Sequence, residues 1–167
     1  MYHFFVEPHQ IGAEEIRIEG ADVNHIRNVL RMKPGEEILI SSREGGDYFC
    51  RVEELEPEYV SAKILEEWEN KELPARIHLF QGLPKGDKME LIIQKAVELG
   101  AYRVVPVSMK RSVVKLDAKK ADAKRKRWNA VSESAAKQSK RSLIPEVAPL
   151  MTYKEAVKEA AGYDMVL

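Results

Sequence analysis

Between Arg76 and Ser108 two short apolar runs, RIHLFQ and RVVPVS, stand on either side of one helical stretch, KMELIIQKAVEL. Runs this short and this rich in β-branched and aromatic residues read as strands. Two strands joined through a helix return in the same direction, so they pair in parallel. The helix has marked ends. Asp87 and Glu90 stand at capping-box spacing, and Gly100 occupies the place of a C-terminal glycine. A long helix is expected over Ala118 to about Lys140, and Pro145 to Pro149 interrupts the pattern. A capped helix follows over Thr152–Ala161, and Asp164–Leu167 begins another strand. Strand, helix, strand, helix, helix, strand predicts an α/β unit with a parallel sheet. A strand that opens at the last residues of the sequence leads to the expectation that more of this domain lies beyond Leu167.

The first half has another rhythm. YHFFVE and EEIRIEG read as strands, and ADVNHIRNVLR as a helix with Val23, Ile26, Val29 and Leu30 facing inward and Asp22 as its cap. Pro34 and Gly35 mark a turn. EILIS, YFCRVEEL and YVSAKILEEW are then three strands at hairpin spacing. Short strands with one interposed helix suggest a small β-barrel. The polar stretch 69–74, ending in Pro74, places a boundary there, giving domains 1–72 and 73–167.

Charge divides the chain at the same point. The formal net charge is zero, but residues 1–72 hold 8 Lys+Arg against 17 Asp+Glu, and the remainder 19 against 10. Arg103 to Arg141 holds 13 basic and 3 acidic residues, for which a polyanion is the natural partner. No run approaches the roughly 18 apolar residues of a membrane span, and MYHFFVEPHQ lacks the marks of a signal peptide. A cytoplasmic location is expected, without a membrane partner.

Several chemistries fail on spacing. Gly82 and Gly86 are too close for a Walker loop, Asp87 stands where its lysine belongs, and Met89 stands where a hydroxyl should follow Lys88. The four histidines are scattered without metal-ligand spacing, so no metal is expected. Cys50, the single cysteine, lies in an alternating run and reads as a small packed residue. On the long helix, Trp128, Val131 and Ala135 are expected to face the core. Arg127, Ser134, Gln138 and Arg141 recur at spacings that share another face. Gln94, Lys95 and Glu98 form either an intrahelical pair or part of a site.

HIRNVLRMKPGE, LPKGDKMELIIQKAVELGAYRVVPVSMKRSVV, RW and ESAAKQSKRSLIPEV, in this order over nearly the whole chain, resemble the RsmE family. Its members are bacterial 16S ribosomal RNA methyltransferases acting on N3 of one uridine. The resemblance implies an N-terminal PUA-like β-barrel and a C-terminal SPOUT domain, an α/β fold with a trefoil knot. It implies S-adenosylmethionine as donor, a homodimer, and the small ribosomal subunit as partner. The family's G-P-E-G-G and L-G-x-R-[IV]-L-R-x-E-T-A segments do not occur in the sequence. The cofactor site is therefore expected beyond Leu167, the SPOUT domain to be incomplete, and this chain by itself to bind the donor weakly and to be inactive.

Uracil N3 carries a proton near neutral pH, so its methylation needs a proton acceptor or fixed positive charge for the developing anion. Arg141 and Gln138 are the candidates for positioning or charge stabilisation, because an arginine cannot serve as a base. Glu133 is the candidate acceptor. His25, Arg27, Arg31 and Lys33 form a basic cluster on an acidic unit and are expected to make a narrow RNA contact. Lys85, Lys88, Arg111, Lys124, Arg125 and Arg127 supply the broad footprint. Two other readings stay open: a SPOUT methyltransferase with another RNA target, and a non-catalytic RNA-binding module.

Overall fold

A computed structural model of the chain describes residues 1–43, 46–68, 72–110 and 117–167. Two compact units are distinguished: Met1–Glu72 with Lys140–Leu143, and Leu73–Ser139 with Ile144–Leu167.

The first unit is built on strands β1 (Tyr2–Val6), β2 (Glu15–Glu19), β3 (Glu37–Ser42), β4 (Asp47–Leu55) and β5 (Tyr59–Trp68). They form one sheet in the order β1-β3-β4-β5-β2, with β1 parallel to β3 and the other pairs antiparallel. The register between β4 and β5 shifts at Phe49/Cys50 and again at Val52/Glu54. Such irregularities raise the local twist and curl a sheet, and the result is a PUA-like half-barrel. Ile16, Ile18, Ile38, Ile40, Cys50, Val52, Val60 and Ala62 alternate along their strands and are at most 1% exposed. Cys50 is one of these core residues, and its burial pushes the thiol up to about 12. It is a packing residue, not a nucleophile.

One helical segment departs from its expected form. Helix α1 (Ala21–Asn24) continues as a π-helix over His25–Val29. Its N-cap is Gly20 at φ 75°, so Asp22 lies in the first turn and is not the cap. The Leu30 amide donates to the His25 carbonyl at 2.9 Å, and the Met32 amide to that of Ile26 at 3.0 Å. These wider rings rotate the side chains away from α-helical register. Val29, expected inside, is 61% exposed, and Met32 is buried.

In the second unit strand β6 (His78–Gly82), helix α2 (Lys88–Glu98) and strand β7 (Arg103–Ser108) form the expected parallel crossover. Helix α3 (Ala118–Ser139) follows, then strands β8 (Glu146–Val147) and β9 (Met151–Thr152), and helix α4 (Tyr153–Ala160). Strands β8 and β9 both pair with β7 in parallel, at Arg103–Val104 and at Val107–Ser108. Pro106 lies between these two pairings. The Val104 carbonyl accepts from Ala148 N, whereas the Val107 carbonyl accepts from Leu83 N. Backbone groups alternate sides along a strand, so the N–H that Pro106 lacks would point to the β8 and β9 side, into the break. A proline is tolerated in this central strand for that reason. The outer edge of β8 is completed by a side chain: Asn129 Oδ1 accepts from Val147 N at 3.0 Å and its Nδ2 donates to Val147 O at 3.1 Å.

The helix caps and the last segment also bear on the expectations. Asp87 precedes α2 without a side-chain cap bond, so the capping box is not made. Glu90 is instead drawn to Arg127. Thr152 and Glu155 do form a complete capping box at α4. Asp164–Leu167 is not a strand; no described strand pairs with these exposed residues. Among the described residues no helix is long and apolar enough to cross a membrane.

Gly100 ends α2 at φ 98°, and a Cβ there would stand 2.7 Å from Leu73 Cδ1. The left-handed conformation alone costs a non-glycine residue about 1–2 kcal/mol. Gly100→Ala is expected to destabilise the second unit by about that amount in urea unfolding. An unchanged midpoint would show that the helix end relaxes at no cost.

Candidate nucleic-acid interface

In open α/β sheets the ends of the strands where the chain leaves towards a helix N-terminus form the usual ligand face. Here that face carries the turn 83–87, anchored by the 3.0 Å bond from Leu83 N to Val107 O. Gly86 takes φ 70°, and nothing lies within 4 Å of where its Cβ would stand. A cavity of about 220 Å³ opens between this turn and α3. Leu83, Pro84, Gly86, Asp87 and Met89 line it from the turn and α2, and Lys124 and Trp128 from α3. Leu83, Met89 and Trp128 are buried, whereas Lys85, Gly86, Asp87 and Lys88 are exposed around them.

The expected basic residues divide by partner. Lys85 and Lys88 make no ion pair among the described residues, and the Lys124 ammonium stands 5.9 Å from the Trp128 ring centroid. Arg127 pairs with Glu90 at 2.6 Å, and the carboxylate pushes the guanidinium pKa above its ordinary value. Arg125 donates to Val147 O at 3.2 Å and to Glu146 at 3.1 Å, which ties it to the β8 edge. Arg111 lies outside the described residues. On α2, Glu98 is held by Lys95 at 2.7 Å and by Gln94 at 3.0 Å. The Lys95 hydrogen bond leads in holding its carboxyl below the usual range, and the three residues are an intrahelical set.

The candidates for chemistry do not share one helix face. Glu133 pairs with Lys137 at 3.2 Å, one turn along α3, and Gln138 is exposed near the helix end. Lys140 adopts φ 55° and ends the helical path, so Arg141 is not on the face of Gln138. Arg141 belongs to the first unit, where its Nε donates to the two carboxylate oxygens of Glu72 at 2.9 and 3.0 Å. Its Nη2 also donates to Glu72, and Ser142 N donates to the same carboxylate at 2.9 Å. Beside it a buried chain runs from His3 Nε2 to Ser41 Oγ at 2.8 Å, and on through Asp47 to the Ser142 hydroxyl. Sequence reasoning missed Glu72 and Asp47 as partners of this segment, and it took Trp128 as core without the adjoining cavity.

On the first unit the basic cluster begins on the π-helix with His25 and Arg27 and continues past its end to Arg31 and Lys33. His25, Arg31 and Lys33 are exposed and Arg27 is half-buried. Arg31 takes φ 53°, a conformation that carries the chain out of the helix. Single π-turns are often found at functional sites, and here the turn sets the spacing of His25 and Arg27.

Comparison with known proteins covers both units. A family model described as RNA methyltransferase PUA domain matches residues 18–65, and one described as RNA methyltransferase domain matches residues 71–167. The chain is 40% identical to ribosomal RNA small subunit methyltransferase E of Bacillus subtilis, over 98% of this chain and 66% of that protein. It is 31% identical to the protein of that name from Synechocystis, over 96% of this chain and 52% of the relative. It thus spans between about half and two thirds of these relatives' length. A solved structure of the Neisseria gonorrhoeae protein of that name, bound to S-adenosyl methionine, superposes with a TM-score of 0.82 at 34% identity. That match covers 95% of this chain and 66% of the other.

Proposed function

Because the chain belongs to the RNA methyltransferase family whose domain model spans residues 71–167, we propose that the protein methylates small-subunit ribosomal RNA with S-adenosylmethionine as donor. The observation that carries this reading is the 40% identity across 98% of the chain, through both units. The donor supplies an electrophilic methyl group. The cavity of about 220 Å³ does not fit it: sites that enclose ligands of that size run to about 300–1,000 Å³. The residues around this cavity therefore enter the proposal through RNA.

The finer reading is methylation at N3 of one 16S uridine by a cytoplasmic homodimer whose complete SPOUT domain contains the knot. Glu133 is proposed to accept the N3 proton, with Lys137, 3.2 Å away, holding its carboxylate in place. Gln138, exposed nearby on α3, is proposed to orient the base. Arg141, held by Glu72 within the first unit, is proposed as a positioning residue for that unit's own 140–143 segment. In the full gene product, labelled donor and small subunits from cells lacking the gene are expected to yield one methyl group, located at uracil N3 by nucleoside mass spectrometry. A methyl group on another base or another RNA would favour the alternative target, and no transfer would favour a binding module.

The cluster on the first unit gives a separate expectation. Arg27→Glu together with Arg31→Glu should weaken RNA binding about tenfold or more. The slope of log affinity against log salt should become shallower by about 0.7–0.9 for each phosphate that is no longer neutralised. Unaltered affinity in a filter-binding titration would place the RNA elsewhere.

A further inference from the structure

The cavity beside the 83–87 turn has the size and walls of a receptor for one planar ring. Its floor is apolar, from Leu83, Met89 and Trp128. Among its described lining residues the one acidic group is Asp87, which is exposed and not used to cap α2. Lys124 lines the cavity from α3, nothing crowds Gly86 at the turn, and the exposed Lys85 and Lys88 adjoin the lining residues in sequence. An apolar slot whose exposed rim carries a carboxylate and an ammonium group is complementary to a nucleotide, base on the apolar floor and phosphates towards solvent. The sequence from Arg103 to Arg141, with 13 basic against 3 acidic residues, makes RNA the partner of matching charge.

We infer that this cavity binds one unpaired guanine of the RNA, apart from the nucleotide that is methylated, with its Watson–Crick edge on Asp87. A carboxylate is acceptor-only. Guanine places two adjacent N–H groups, at N1 and N2, opposite its two oxygens. Uracil offers one N–H between two carbonyls, which the carboxylate repels. The inference rests on the proposed reading that the protein acts on RNA, and it adds a sequence preference at a position that is not methylated.

The chain has two tryptophans, so Trp68→Phe leaves Trp128 as the reporter. In that protein, short oligouridylates with uridine, inosine or guanosine at the centre are titrated by fluorescence. Guanosine is expected to bind about tenfold more tightly than uridine, the discrimination of one good edge contact. Inosine, which lacks the N2 amine, should fall between them. Asp87→Asn, whose amide both donates and accepts, should bring the three within about twofold of one another. Lys85→Glu with Lys88→Glu should weaken all three by one common factor. Equal affinities in the parent protein, or a Trp128 signal that no oligomer changes, would overturn the inference. So would a preference that survives Asp87→Asn. Methyl transfer to small subunits is measured alongside with the full gene product. Transfer without guanine preference refutes the pocket alone, whereas guanine preference without transfer supports the pocket and refutes the enzymatic reading.

Discussion

Glu72→Ala is expected to lower the unfolding free energy of the first unit by about 3–5 kcal/mol, the usual cost of removing one partner from a buried ion pair. The side chains of Arg141 and Glu72 are only 9% and 12% exposed. The Glu72 carboxylate also accepts from Ser142 N, so its loss strands a buried guanidinium and a backbone donor together. Trp68 belongs to the first unit, so its fluorescence in a Trp128→Phe background reads this transition in urea. Adding Arg141→Met to Glu72→Ala should recover part of the loss, because no unpaired charge then stays buried. A single variant that shifts by less than about 1 kcal/mol would mean that water replaces the carboxylate, and that the pair is a surface pair in energetic terms.

The second large effect lies in the other unit. Ile93 is fully buried on α2, with Met89 and Val97 one turn away on either side of the same face. Ile93→Ala should cost about 2–5 kcal/mol, a transfer term plus a term for the cavity left behind. Trp128, read in the Trp68→Phe background, reports this unit. Leu91→Ala on the exposed face of the same helix should stay within about 0.5 kcal/mol of the parent. Equal effects at the two positions would show that the Ile93 site collapses to fill the gap.

The elements set by local pattern were legible in the sequence. Gly100 announced the end of α2 because only a residue free of a Cβ enters that conformation at no cost. The Thr152 and Glu155 pair announced α4. The strands of both units showed their alternation or their uninterrupted apolar runs. What escaped depends on partners far along the chain. Glu90 sits at capping-box spacing, yet Arg127 takes it, and nothing local favours one partner over the other. The π-turn at His25–Val29 shifts the inward face by a residue, which periodicity at 3.6 cannot anticipate. Strands of two residues, such as β8 and β9, are too short to carry a period. Arg141 looked like the continuation of a helical stripe until the φ of Lys140 turned the chain and a carboxylate 69 positions away held it. For the RNA-facing side, composition gave the charge. Only the three-dimensional arrangement separates Lys124, which lines the cavity, from Arg125 and Arg127, which hold the scaffold together.

The divided strand beside Pro106 has a kinetic consequence. A continuous third strand would open only with the whole sheet, since each pairing would be reinforced by the next. Split into β8 and β9, that lane consists of two short patches that can part from β7 separately. The Val147 amide is held by the Asn129 side chain and not by a backbone carbonyl, so its protection depends on that one side-chain bond. The β6–β7 ladder runs over five residue pairs without such an interruption. Amide protons across this small sheet are therefore expected to have two lifetimes, briefer along β8 and β9 and longer along the β6–β7 ladder.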